Sequence, residues 1–386
     1  MPTEIYLDNQ SAAKCSSSTL KKILPFYTEK WGCYSSPHQK GQASFLDVEE
    51  AYKSIYKALD ASDQDEILLM SCGAEAVNQV FFSAYHSSSL TTGKNQFITS
   101  NIDEAPSLMT VSRLEQMSAV GKMAYADDSG RVTAKAIADK MNPRTCLVSL
   151  SWANGLTGVI NPIAEIASLC QERGVLLHLE ATHVIGKLYF HSDEIGAQYI
   201  SFNGEQIHAP KGTGALWIKE KAPCVPHIIG GLEQGGHRGG ALNVPGLIGL
   251  AEAVQESMEA RDLLCTEGAR LRDKFEEGIL KGYPEAVIFY KGVERLPTVT
   301  AIGFPGISNE ALLFALSRKG VYGSIGGGSF QQISLVLMGG GIPQKLANTA
   351  ISFSLSRDTT EDDIDQAIEI IVETALKLSK MSYSRT

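Results

Sequence analysis

Short apolar runs rich in β-branched residues alternate, over the first half of the chain, with longer stretches of helical periodicity. The runs Glu66–Met70, Gln96–Ser100, Thr145–Ala153, Val175–Ala181, Tyr199–Phe202 and Gly214–Ile218 predict strands. A helix is predicted from Gly73 towards His86. Another is bracketed by Asn161 as N-cap, Pro162 at the first helical position and Gly174 after its end. This β-α-β rhythm predicts a largely parallel sheet with helices on both faces. From Gly246 the rhythm changes. A long helical stretch runs to Leu280, followed by strand-like Ala286–Tyr290, a helix over Asn309–Arg318 and strand-like Ala350–Leu355. A last helix opens on the capping-box pattern Thr360-x-x-Asp363. These segments predict a second, smaller α+β unit. Two glycine clusters, Gly326-Gly327-Gly328 and Gly339-Gly340-Gly341, bracket what reads as a mobile loop.

Composition narrows the class. The 386 residues are 44% hydrophobic and 20% charged, enough for a large core without disulfide staples. Thirty-four basic against 43 acidic residues give −9, which argues against a nucleic-acid or anionic-membrane partner. No apolar run reaches the roughly 18 residues of a membrane span. The opening Met1–Ile5 has neither a basic nor an apolar segment, so a cytoplasmic location is expected. Seven scattered cysteines without a C-x-x-C pair are expected to be reduced thiols rather than disulfides or a zinc site, and none lies beyond Cys265.

Several motifs, taken in chain order, then point one way. Tyr6-Leu7-Asp8-Asn9 is similar to Y-L-D-N-A-A-T, and Ser35-Ser36-Pro37-His38-Gln39-Lys40-Gly41 to S-S-x-H-x-x-G. Ser71-Cys72-Gly73-Ala74-Glu75 stands in the place of T-S-G-A-T. Val159–Ile163 and Gly186-Lys187-Leu188 match further anchors. His208–Leu216 resembles H-G-P-K-G-x-G-A-L, Arg238–Pro245 resembles R-S-G-T-L-N-V-P, and Ser352–Arg357 resembles R-F-S-L-G-R. Together these motifs resemble the cysteine desulfurases (NifS/IscS-like) of the class V aminotransferase family, which use pyridoxal phosphate (PLP). The resemblance implies an aspartate-aminotransferase-like α/β fold with a mixed, mainly parallel seven-stranded sheet. It implies a large domain over 16–245 and a small α+β domain built from 1–15 and 246–386. It also implies a homodimer, with a protein partner in sulfur transfer.

The same resemblance implies a set of chemical positions, and most are replaced. The Schiff-base lysine is Gln206, an amide that is not a nucleophile. Lys211 matches a later lysine of the motif and reads as a surface residue. The residue before the Schiff-base lysine is Glu205 rather than histidine, and the ring-stacking histidine is Glu104. In place of H-V-D-A-A-Q stands His178–His183, which puts Glu180 opposite the pyridine nitrogen and His183 at the ring hydroxyl. The phosphate hydroxyls become Glu75, Asn203 and Ala241, while Arg238 is kept; Asn154 is placed in the same pocket. The substrate-carboxylate arginine is Ser352, and the sulfur-accepting cysteine of the loop is Gly326.

A kept scaffold with an abandoned site is therefore expected: a pseudoenzyme acting as a dimeric scaffold or partner, with no cofactor. Two alternatives stand beside it. One is a PLP enzyme of altered mechanism. The other is a reused pocket in which Glu104, Glu180 and His183 take a metal or a cationic amine. Against the latter, Arg238, Lys211 and His208 are expected to pair with the converging carboxylates Glu75, Glu104, Glu180 and Glu205.

Overall fold

A computed structural model describes residues 4–192, 194–327 and 332–383. Its twelve strands are β1 (Ile5–Tyr6), β2 (Glu66–Met70), β3 (Gln96–Ser100), β4 (Val120–Ala124), β5 (Thr145–Ser151), β6 (Leu176–Glu180), β7 (Tyr199–Asn203), β8 (Gly214–Ile218), β9 (Val287–Ile288), β10 (Val299–Gly303), β11 (Val321–Tyr322) and β12 (Ala350–Ser354), counted among the described residues. Seven of them form one sheet in the order β2-β8-β7-β6-β5-β3-β4. Only β8 runs against its neighbours β2 and β7; the remaining pairings are parallel. The fold is thus a mixed, mainly parallel α/β sheet, as expected.

The central strands are buried along their whole length, which matches their uncharged, largely apolar sequence. His178 sits among them on β6. Its two ring nitrogens face Ser149 on β5 and Ser201 on β7 at 2.8 and 2.9 Å, so a buried polar side chain is satisfied from both sides. Burial pushes its pKa down to about 3. The edge strand β4 escaped the apolar pattern because most of its residues are exposed.

Helix Phe45–Leu59 buries Val48, Ala51, Ile55 and Leu59, spaced as one helical face, and packs on helix Val244–Glu259. The stretch predicted as one helix from Gly246 to Leu280 is divided: Val244–Glu259 packs on the large sheet's helices, a π turn covers Leu264–Gly268, and Ala269–Gly282 packs on Glu361–Tyr383. Thr360 and Asp363 make the reciprocal capping box, Asp363 N–H donating to Thr360 Oγ1 at 3.1 Å and Thr360 N–H to Asp363 Oδ2 at 2.9 Å.

Asn161 does not cap its helix, which starts at Ile163. Its amide instead bridges Val132 N–H and the Ser151 carbonyl, tying a loop to the end of β5. The segment between the two glycine clusters is also corrected. Gly328 lies outside the described residues, and Ile333–Gly339 is helix rather than loop, with Ile333 and Leu337 fully buried.

A second apolar cluster gathers Ile5 and Leu7 with Phe275, Ile302, Phe353 and Ile371, around the antiparallel sheet β12-β10-β9 and the parallel pair β1-β11.

Candidate functional site

The parallel strands end on one edge of the sheet, and the chain leaving those ends builds a cavity of about 420 Å³. Glu180 is the last residue of β6 and Asn203 the last of β7. Glu104 caps helix Ala105–Glu115 after β3, and Asn154 follows β5. The cavity is lined by Glu104, Asn154, Glu180, His183, Asn203, Glu205, Gln206 and Gly326, and also by Gln10 and Thr182.

His183 joins two of the replaced positions. Its Nε2 lies 2.7 Å from Glu104 Oε1 and its Nδ1 2.8 Å from Gln10 Oε1, so each ring nitrogen faces an oxygen acceptor. Gly155 makes room for this ring, since a Cβ there would lie 2.3 Å from His183 Nε2. Gln206 is tied down as well: its Nε2 donates to the Ser11 carbonyl at 2.8 Å and its Oε1 accepts from Asn203 Nδ2 at 2.8 Å. Asn203 Oδ1 in turn accepts from Gly73 N–H at 3.4 Å, the first residue of helix Gly73–Ala84. Asn154 holds its own turn through Oδ1, accepting from Leu156 N–H and Thr157 N–H at 3.1 and 3.0 Å, while its Nδ2 donates to the Ile102 carbonyl at 3.2 Å.

Glu75 stands in the first turn of helix Gly73–Ala84. Its carboxylate accepts from Arg238 Nε at 2.8 Å and from Ser71 N–H at 2.6 Å. Burial acts to raise its pKa, but these hydrogen bonds outweigh it and hold the group below the usual carboxylate range. The carboxylate of Glu75 thus occupies a helix N-terminus with an arginine facing it, the arrangement that otherwise receives an anion. Lys211 Nζ is 3.9 Å from Glu205, on an exposed side chain. The expected pairing of His208 with these carboxylates is not formed, because its Nδ1 is directed at the Lys14 carbonyl at 2.8 Å.

Glu75, Arg238, Ala241 and Ser352 do not line this cavity. Ala241 lies on the wall of a larger groove of about 1460 Å³. Ser352 is buried in β12 and bonded through its backbone to Ser324. Among the described residues, Glu104, Glu180 and His183 do not form a group at metal-ligand spacing, which the alternative of a reused metal pocket would need. His183 and Glu104 satisfy each other instead.

Glu180 is buried at the cavity wall. Its Oε1 accepts from Thr182 N–H at 3.0 Å and from the Thr182 hydroxyl, while its Oε2 has no hydrogen-bond partner among the described residues. Burial, reinforced by the charge of Glu104, pushes its pKa up to about 8 against the opposing Thr182 bonds. Asp103 is likewise buried and raised to about 6, although it accepts from Ser100 and Ser151 N–H. A carboxyl raised in the folded state stabilises the fold below its unfolded pKa, and that contribution is lost as pH rises through the folded value. Glu180→Gln is therefore expected to melt with the parent near pH 4.5 and several degrees above it at pH 9, by calorimetry. Equal melting temperatures at pH 9 would refute an ionisable Glu180.

Sequence reasoning passed over Gln10, Thr182, Asp103 and Lys187. Gln10 had a legible signal, since it replaces the first alanine of Y-L-D-N-A-A-T. Lys187 is buried behind it, with Nζ 3.5 Å from Gln10 Oε1, and burial pushes its amine down to about 8.

Fold and site together define a PLP-type α/β transferase scaffold with its pocket at the carboxyl ends of the parallel strands. The class-V aminotransferase family model matches residues 5–367, and the chain belongs to that family. It is 32% identical to a cysteine desulfurase of Cereibacter sphaeroides over 95% of this chain and 94% of that one. It is 30% identical to the cysteine desulfurase NifS of Azotobacter vinelandii, over 98% of this chain and 94% of that one. A solved NifS-like protein superposes with a TM-score of 0.90 at 28% identity, covering 96% of this chain and 99% of the other.

Family membership corrects the expectation of no cofactor, because this is a PLP-dependent family. The pocket suits that group in one respect: Glu180, on the cavity wall, has an Oε2 without a partner among the described residues, and its carboxylate would hold a protonated ring nitrogen. It departs in two. Gln206 offers no amine, and Glu75 already fills the anion position beside Arg238. Covalent attachment of PLP at position 206 does not fit these residues.

Among the described residues no helix is long and apolar enough to cross a membrane.

Proposed function

We propose that this chain is a cysteine desulfurase homologue that does not release sulfur from cysteine by the family's covalent route. It acts instead as a cytoplasmic, dimeric scaffold or partner in sulfur metabolism. The observation that carries this reading is Gln206, an amide held between Asn203 and Ser11 where the route needs a free amine. Gly326, at the cavity wall in place of the sulfur-accepting cysteine, removes the second group the route needs. A second copy suits the large groove beside Ala241, whose margin exposes Trp31, Phe45 and Leu232.

Lys187 favours a second reading, a PLP reaction of altered mechanism. A buried amine lowered to about 8 has a neutral, nucleophilic fraction at neutral pH, and its Nζ lies 3.5 Å from Oε1 of Gln10, a residue of the cavity wall. The two readings separate in one experiment. Protein incubated with PLP and cysteine is assayed for sulfide, then reduced with borohydride and mapped by mass spectrometry. The scaffold reading expects sulfide no higher than PLP alone and no lysine carrying the reduced adduct. Sulfide above that background with the adduct on Lys187 would establish the second reading.

A further inference from the structure

Away from the cavity, at the outer edge of the large sheet, Glu66, Cys224 and His237 bring one ligand atom each to within 4.8 Å of one another. We propose that they form a binding site for a single borderline-soft divalent metal ion, of the zinc class. The donor set is a thiolate, an imidazole and a carboxylate, the mixture that zinc takes in four-coordinate sites with one position left for water. Tetrahedral bonds of roughly 2.0–2.3 Å place neighbouring donors about 3.3–3.6 Å apart. His237 Nε2 already lies 3.1 Å from Glu66 Oε2. Cys224 Sγ lies within 4.8 Å of both. Hard ions such as magnesium and calcium are disfavoured by the sulfur.

The three residues come from separate parts of the chain, and each is held in place by something other than a metal. Glu66 opens β2, an edge strand of the sheet. Cys224 belongs to a segment pinned from the sheet's side: the Tyr199 hydroxyl donates to the Pro223 carbonyl at 2.7 Å, and Gln79 Nε2 to the Val225 carbonyl at 2.5 Å. The same Gln79 amide reaches Cys224 Sγ at 3.8 Å, a donor suited to a metal-bound thiolate. His237 is delivered by Gln234, whose side-chain amide pairs with both backbone groups of Leu69 on β2, at 2.7 and 3.0 Å, as an added strand would. The ligands are thus prearranged on a rigid edge. Glu66 and His237 line the large groove and keep 47% and 28% of their side chains exposed in the single chain, so an ion can enter before a second copy covers the groove. His237 precedes Arg238 in sequence, so a metal here also fastens the arginine that holds Glu75.

The full chain is titrated with Co(II) as a spectroscopic probe and then with Zn(II) in competition. The expected result is one equivalent of cobalt per chain with a near-ultraviolet thiolate-to-cobalt charge-transfer band, displaced by zinc. Cys224→Ser is expected to abolish the band, and His237→Asn to weaken cobalt binding at least about tenfold. Circular dichroism and melting of both variants establish that they are folded, and His237→Asn, at a partly exposed position, covers the case in which Cys224→Ser is not. Absence of the charge-transfer band in the parent would overturn the proposal. So would a band that survives Cys224→Ser but is lost in Cys33→Ser, which would place the binding at an exposed thiol.

Discussion

Replacing Arg295 by methionine is expected to destabilise the fold by about 3–5 kcal/mol, the usual cost of stranding one member of a buried ion pair. Arg295 Nη2 donates to Glu276 Oε1 at 3.0 Å, with 4% and 0% of the two side chains exposed. Glu276 stands on helix Ala269–Gly282, and Arg295 forms a backbone bridge with Val159, so the pair joins the C-terminal layer to the loop after β5. Lys291 is the other cation near Glu276, with its Nζ at 4.0 Å on a half-exposed side chain, which water screens. It cannot replace the guanidinium. The mechanism predicts a signature beyond a simple loss. Glu276→Leu combined with Arg295→Met removes both charges and should recover most of the stability, because the penalty comes from the unpaired ion. Urea midpoints of the two single variants and the double variant measure this. A single variant that loses less than about 1 kcal/mol would mean that water reaches the pair.

How much of this was readable in the sequence varies with the kind of residue. The sheet strands were legible because strands buried on both faces carry apolar runs without charged residues, as Thr145–Ser151 and Gly214–Ile218 do. β4 was not, since an edge strand needs no apolar face on its open side. The division of the long helix at Ala260–Gly268 was also hidden, because helical periodicity continues through a π turn that alters only the backbone bonding. At the site, motif positions located the cavity residues Glu104, Glu180, His183 and Gln206, but they could not say which groups satisfy one another. Polar side chains are used in ways that leave no periodic signature: Asn154 holds its own turn through Oδ1, and Asn161 ties the end of β5 to distant Val132. Asp103 was hidden for a related reason: its two backbone donors come from Ser100 and Ser151, and the second is distant in sequence. The Glu66, Cys224 and His237 group was equally invisible, since sequence spacing carries no sign that the loop folds back on the edge of β2.

Glu75→Thr is expected to tighten binding of PLP by about 10²-fold, through its phosphate alone. In the parent, the Glu75 carboxylate takes the Ser71 N–H and the Arg238 guanidinium for itself. A phosphate brought to about 4 Å from that carboxylate would meet a repulsion on the order of 4 kcal/mol at an effective dielectric near 20. Threonine removes the charge, leaves a hydroxyl that can donate, and frees Arg238 together with the N-terminus of helix Gly73–Ala84. Part of the gain is lost in holding the arginine without its partner, so about 3 kcal/mol is the figure to test, which corresponds to the stated factor. Calorimetric titration with PLP, inorganic phosphate and unphosphorylated pyridoxal separates the causes. PLP and phosphate should both gain and pyridoxal should not, whereas an equal gain for pyridoxal would mean that the substitution had merely opened the cavity. Adding Gln206→Lys to Glu75→Thr then restores an amine beside a free anion site, and borohydride should trap PLP on residue 206. If the pair of substitutions binds PLP without trapping, the amine is misplaced, and the loss of the covalent route extends beyond the side chain at position 206 to the hydrogen bonds of Asn203 and Ser11 that now surround it.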